Sequence, residues 1–76
     1  MNFSNYLILR PLQSEMMHLN SSLADYGLRP EDWEIIPEQL NEFKIENIEE
    51  PSFFFKGTTV LKKGRKIWQK IQLLGL

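Results

Sequence analysis

The absence of cysteine from a chain of 76 residues is the feature that most limits what this chain can fold into. A domain of this size buries only about 60% of the surface that its unfolded chain exposes, so disulfides or bound metals often support such domains. Without thiols, stability must come from hydrophobic packing or from self-association. Aromatic residues make up 12% of the chain and suit that task, since each buries roughly 150–250 Å² when inside. We predict one small domain over residues 1–76.

The first third of the chain carries the pattern of an amphipathic helix. Apolar residues recur at alternating steps of three and four, at Leu9, Leu12, Met16, Leu19, Leu23 and Tyr26. Pro11 suits the first helical turn, and Gly27 suits the left-handed position after the end. We therefore predict a helix over about residues 11–26, with Leu28 packing back on Leu23. The alternative of a coiled coil has only two heptads to support it.

The segment between the helix and residue 52 is divided by three prolines and reads as short pieces. We predict a brief strand at 33–36, a helical turn at 37–40, a half-buried strand at 43–46 and a turn at 49–52. A longer helix running through Phe43 is the alternative. Trp33 is expected in the core. Before the main helix, residues 6–9 suit a short strand or an extra helical turn.

The last third predicts a β-hairpin. Residues 53–61 are aromatic and β-branched, as strands are, and Gly57 among them indicates a bulge or a close backbone approach. Residues 62–65 contain a glycine and form the turn, so residues 66–74 return as the antiparallel partner. A helix over residues 66–74 is the alternative. The predicted fold is α+β: one N-terminal helix packed on a small antiparallel sheet of three or four strands that ends in this hairpin.

Charge is strongly polarised along the chain. Residues 51–76 carry six basic side chains and no acidic one, whereas residues 31–50 carry eight acidic side chains and one basic one. Such asymmetry indicates contacts between oppositely charged surfaces. Those contacts are either internal, with acids facing lysines across strands, or external, with a partner.

Catalytic and cofactor-binding motifs do not occur. His18 is the only histidine, and a zinc site or a catalytic triad needs companions that its neighbours do not supply. The acidic residues lack the spacing of a calcium-binding loop, and no glycine-rich phosphate-binding loop is present. We expect no enzyme activity, no cofactor and no metal. The sequence also has no apolar run long enough to span a membrane, and the absence of cysteine favours the cytoplasm.

The triplet Phe53-Phe54-Phe55 predicts an interaction surface. Consecutive side chains of a strand point to opposite faces of the sheet, and one helix covers only one face of so small a sheet. An aromatic residue should then lie on the uncovered face, which a second subunit or another protein would cover.

We therefore interpret the chain as a small non-enzymatic protein-interaction module, in the form of a homodimer or a binder of another protein. The binding surface would be an aromatic hairpin with a basic rim, formed by Phe54, Lys56, Lys62, Arg65, Trp68 and Lys70. The alternative is non-specific binding of single-stranded nucleic acid by the same hairpin, with cations along the phosphates and rings under the bases. No membrane partner is expected.

Overall fold

The computed structural model describes residues 13–75 of the chain. Helix α1 (Gln13–Ser21) continues as a 3-10 turn (Ser22–Tyr26), and a second 3-10 turn (Pro30–Asp32) leads into the sheet. The strands are β1 (Trp33–Gln39), β2 (Glu42–Asn47), β3 (Phe54–Lys62) and β4 (Arg65–Gly75). They form one antiparallel sheet in the order β1-β2-β3-β4. The predicted α+β fold, with a helix on a sheet that ends in a hairpin, is confirmed.

The helical segment ends as its sequence indicates. Gly27 adopts a left-handed conformation with φ of +79°, and the backbone N–H of Leu28 donates to the carbonyl of Leu23 at 3.1 Å. This hydrogen bond closes the helix end and turns the chain toward the sheet. The predicted start of the helix and the prediction for residues 6–9 lie outside the described residues. None of the described helices is long and apolar enough to cross a bilayer.

The predicted helical turn at residues 37–40 is wrong, as is the alternative of a longer helix through Phe43. Pro37 belongs to β1 and lies opposite Phe43 of β2. In the described sheet β1 is an edge strand, where a residue without an N–H leaves no ladder bond unmade. A bulge between Pro37 and Gln39 then bends the strand into the turn at Leu40 and Asn41. The predicted strands at 33–36 and 43–46 are confirmed within β1 and β2, and the predicted turn at residues 49–52 lies in the loop between β2 and β3.

The C-terminal hairpin forms as predicted, and residues 66–74 are a strand rather than a helix. Its two-residue turn consists of Lys63 and Gly64, both with positive φ, at +54° and +77°. Positive φ at both central residues is typical of the type I′ turn, whose twist matches that of the two strands. The hairpin is therefore set by local geometry as well as by packing.

The core lies between α1 and one face of the sheet. Its buried hydrophobic side chains are Leu19, Leu23, Trp33, Phe43, Ile45 and Trp68. The indole N–H of Trp68 donates to the carbonyl of Leu19 at 2.9 Å, which ties β4 to the helix. Trp33 is buried as expected and contacts Phe53 and Phe55 edge-to-face. Gly57 leaves the space that the Trp68 ring fills, so the close neighbour of this glycine is a side chain and not the backbone that was predicted.

Candidate interaction surface at the tip of the C-terminal hairpin

The face of the sheet turned away from α1, which we call the outer face, carries charges in alternating rows. Glu34 of β1 lies opposite Glu46 of β2, and one row along Lys44 of β2 lies opposite Lys56 of β3. Within each of these rows, side chains of like charge face each other across the strands. The neighbouring row carries charges of the opposite sign. Of the six basic side chains of residues 51–76, only Lys56 forms an ion pair with the acidic segment among the described residues, so the internal pairing neutralises a small part of the sequence polarity.

Lys56 is the clearest case of this internal pairing. Its Nζ lies 3.3 Å from a carboxylate oxygen of Glu42 and 3.6 Å from one of Glu38. The hydrogen bond and charge of Glu42, with a smaller contribution from Glu38, raise the pKa of Lys56 above its ordinary value. A second outer-face pair joins Lys44 to Glu46 at 3.1 Å. Lys56, a predicted binding residue, is thus already engaged within the fold.

The phenylalanine triplet divides between the two faces as strand geometry requires. Phe53 and Phe55 pack against the core, while Phe54 lies on the outer face and is half-buried. The Nζ of Lys44 lies 4.6 Å from the centre of the Phe54 ring, close enough for a cation–π contact. The aromatic surface predicted for the uncovered face is therefore one ring that a lysine partly covers.

Trp68 was predicted as a binding residue, but the structure buries it, so it is not available for binding. Only 6% of its surface is exposed. It lies opposite Thr59 on the core face, yet Lys70, two residues later, lies opposite Thr58 on the outer face. A register shift between these two pairs places the extra residue Gln69 in β4. Such a bulge breaks the alternation by which residues i and i+2 share a face, and this is why Trp68 and Lys70 separate.

The cations that the fold leaves unused gather at the tip of the hairpin. Lys62, Lys63 and Arg65 are exposed, and none of the ion pairs among the described residues includes them. Lys62 lies directly opposite Arg65 across the hairpin. Lys70 is likewise exposed and outside those pairs, lower on the same face. Within residues 13–75, the tip thus holds three of the four exposed basic side chains that enter no ion pair, and Lys70 is the fourth.

The six predicted residues do not form one site. Phe54 and Lys62 are the first and last residues of β3, a separation of roughly 26 Å at about 3.3 Å per residue. Lys62 and Arg65 are brought together at the tip, with Lys70 below them on the same face, whereas Phe54 and Lys56 belong to the neutralised part of the outer face. Trp68 lies in the core.

Two exposed leucines lie beside the tip cations and were not among the predicted binding residues. Leu61 is 68% exposed and Leu40 is 81% exposed. Between them lies Lys66, which is opposite Leu61 across the hairpin and donates from its Nζ to the carbonyl of Leu40 at 3.2 Å. By the alternation of side chains in β3, Leu61 lies on the same face as the core residues. The neighbouring β1–β2 hairpin turns at Asn41, whose carbonyl accepts a hydrogen bond from the backbone N–H of Thr59, and Leu61 lies two residues beyond Thr59. The β3–β4 hairpin therefore projects beyond the core, and the unequal lengths of β2 and β3 were the available signal.

An open groove lies between the helical segment and β4. It encloses about 400 Å³ and is lined by His18, Ser22, Asp25, Tyr26, Ile67 and Trp68. The Ser22 hydroxyl donates to the carbonyl of Leu19 and the Tyr26 hydroxyl to that of Trp68. No hydrogen bond among the described residues links His18 to Ser22 or to Asp25. Within residues 13–75, no three histidine or acidic side chains come together as metal ligands.

We therefore define the tip surface as Leu40, Leu61, Lys62, Lys63, Arg65 and Lys66. It surrounds one end of the hairpin: Lys62 and Arg65 lie on the outer face, and Leu61 and the half-buried Lys66 lie opposite each other on the other face. Comparison of the chain with models of known protein families, with curated proteins and with solved structures finds no significant match.

Proposed function

We propose that the protein is a small non-enzymatic interaction module of the cytoplasm that uses the tip surface to bind an acidic, partly apolar protein surface. The observation that carries the proposal is the cluster of exposed cations and leucines at the tip, whose cations Lys62, Lys63 and Arg65 enter no ion pair among residues 13–75. Elsewhere on the outer face Lys44 and Lys56 have acidic partners, while Lys70 is exposed and outside the ion pairs of the described residues. Only a partner would bring acidic groups to the tip.

The composition of the tip supports this proposal because it is unfavourable for folding. The like charges of Lys62 and Arg65 directly oppose each other, which disfavours the hairpin by an amount comparable to the ~0.2–1 kcal/mol of a favourable cross-strand pair. Lys63 adopts φ of +54°, and a left-handed conformation costs an ordinary residue roughly 1–2 kcal/mol. Local strain of this kind is concentrated at binding sites. An anionic partner would relieve the charge repulsion.

Binding of single-stranded nucleic acid is the weaker alternative. It requires exposed rings on which bases stack. Trp68, Phe53 and Phe55 instead belong to the core or pack against it, and Phe54 lies at the far end of β3 from the tip. The tip retains cations for phosphates but offers leucines where stacking rings would be needed. This chemistry fits a protein surface of carboxylates and aliphatic side chains better.

The test is a binding titration with two anionic probes. A fluorescein-labelled peptide that alternates glutamate and leucine and a labelled single-stranded oligonucleotide are each titrated with the protein, at low and at physiological salt, with anisotropy as the readout. We expect the peptide to bind more tightly than the oligonucleotide. Lys63→Glu should weaken peptide binding at least several-fold.

The matched control is Arg29→Glu, which changes the net charge by the same amount at an exposed site near the other end of the sheet. It should leave peptide binding nearly unchanged. Absence of peptide binding at low salt, or equal losses in the two variants, would overturn the proposal. Tighter binding of the oligonucleotide, lost in Lys63→Glu, would assign the tip to nucleic acid instead.

A further inference from the structure

The end of the sheet opposite the tip carries the complementary chemistry. The loop between β2 and β3 exposes Ile48, Glu49 and Glu50, and Ile48 is 57% exposed. None of the ion pairs among the described residues includes Glu49 or Glu50. We call these three residues the acidic loop. It combines an exposed aliphatic side chain with two carboxylates, as the partner of the tip surface should.

The two surfaces lie too far apart to meet within one molecule. The acidic loop precedes β3 and the tip follows it, and the nine residues of β3 hold them roughly 25–30 Å apart. The loop also has a fixed shape, since the Oδ1 of Asn47 accepts hydrogen bonds from the backbone N–H groups of both Glu49 and Glu50. The carboxylates therefore project from an ordered turn.

Resting on the function proposed above, we infer that the partner of the tip surface is a second copy of this chain, whose acidic loop it contacts. Lys62, Lys63 and Arg65 would face Glu49 and Glu50, and Leu61 would pack on Ile48. The contact joins two different surfaces, unlike the self-complementary patch of a simple symmetric interface. Both surfaces are small, so the interface falls below about 1,200 Å², the size of weak and transient contacts. It should form at high protein concentration and dissociate in salt.

Sedimentation velocity over a micromolar-to-millimolar concentration series tests this inference with the complete chain. Wild type should show a mass that grows with concentration at low salt. The variant Lys62→Glu/Lys63→Glu and the variant Glu49→Lys/Glu50→Lys should each remain monomeric, because each places like charges on both surfaces. A chain with all four changes keeps the formal net charge of −1 and restores opposite charges between these four positions, while Arg65 keeps its positive charge. It should recover part of the association that each double variant loses.

Net charge is controlled by Lys63→Glu and Arg29→Glu, each of which takes the formal net charge from −1 to −3, since a positive charge becomes a negative one. Only Lys63→Glu should weaken association, since Arg29 pairs with Asp32 beside the acidic loop and Arg29→Glu adds negative charge at that end of the sheet. Failure of the four-change variant to associate more than either double variant, with its circular dichroism and urea midpoint as in wild type, would overturn the inference. A wild-type chain that binds the acidic peptide through its tip yet stays monomeric would overturn the inference alone. A chain that does neither would overturn the proposed function as well.

Discussion

At the scale of single residues, the contact between Gly57 and Trp68 decides how the core closes. A Cβ on Gly57 would lie 2.9 Å from Cε3 of Trp68 and 3.1 Å from Cδ1 of Ile45, and closer still to Cζ3 of Trp68. The indole ring cannot retreat without losing the hydrogen bond from its N–H to Leu19. Gly57→Ala should therefore lower the free energy of unfolding by about 1–3 kcal/mol, the usual cost of overpacking.

Urea denaturation followed by tryptophan fluorescence measures this loss. The same change in a Trp68→Phe background is the control, since a phenyl ring does not reach as far as the indole and should make the alanine less costly. An equal cost in both backgrounds would show that the clash with Trp68 is not the cause.

Thr59 is a polar residue in a buried position. It is 4% exposed, and its Oγ1 has no hydrogen-bond partner among the described residues. A buried polar group without a partner costs roughly 1–3 kcal/mol. Thr59→Val keeps the branched shape and removes that cost, so we expect the free energy of unfolding to rise by about 1 kcal/mol.

Thermal and urea denaturation provide the measurement for Thr59→Val, with Thr58→Val on the outer face as the matched variant. A gain in stability confined to position 59 is expected. A loss at that position would mean that the hydroxyl is hydrogen-bonded in solution.

At the scale of elements, the turn of the C-terminal hairpin contains Lys63, whose charge should favour binding and whose backbone conformation lowers the stability of the fold. Type I′ turns favour Asn-Gly, because asparagine tolerates positive φ, whereas this turn has Lys63 before Gly64. Lys63→Asn should stabilise the protein by about 0.5–1 kcal/mol, part of the cost of the left-handed conformation. It should also weaken peptide binding and self-association, since a tip cation is lost.

Stability is read from the urea midpoint, and binding from the anisotropy and sedimentation experiments. Lys63→Gln, which removes the charge without favouring positive φ, separates the two effects. It should weaken binding equally and leave the urea midpoint near that of wild type. Stabilisation by both variants alike would assign the gain to charge rather than to the turn.

The outer-face pairing of β3 with β1 and β2 has a signature in pH. The pKa of Lys56 is raised, first by its hydrogen bond to Glu42 and then by the charge of that residue. A raised folded-state pKa means that the pair contributes stability below the ordinary lysine value near 10.5 and loses it as pH rises through the folded value. Glu42→Gln should lower the pKa of Lys56, as measured by NMR titration of its Cε and Hε resonances. Glu49→Gln should not change it, and a similar fall in that variant would contradict the pairing.

The sequence predicts a secondary-structure element correctly where its local residue pattern agrees with the long-range packing of the fold. Alternation in β3, the glycine turn and the helical spacing with Gly27 all coincide with the packing, so these elements were predictable. At Pro37 a proline followed by Glu38 resembles a helix start, but pairing with Phe43 extends β1 through it. The bulge at Gln69 has no local signature, and it moves Trp68 to the core while Lys70 stays outside. Of the tip surface, only Lys62 and Arg65 were therefore predicted as binding residues.

At the scale of the whole molecule, charge has two separate roles, and salt should distinguish them. The ion pairs within the described fold join side chains that are between 22% and 74% exposed, and pairs of this kind contribute about 0–1 kcal/mol each and are screened by salt. Screening also relieves the opposition of Lys62 to Arg65 at the tip. The two effects have opposite signs, so the fold as a whole should be nearly indifferent to ionic strength.

Association between molecules has no such compensation, because every charge pair between the tip surface and the acidic loop is attractive. Raising NaCl from low to about 0.5 M, where the Debye length falls below roughly 5 Å, should leave the urea midpoint nearly constant and return the sedimenting species to monomer. Parallel measurements on one sample series decide the point. If the midpoint fell together with the association, the charges at the two ends would be supporting the fold itself, and the tip cations would be structural.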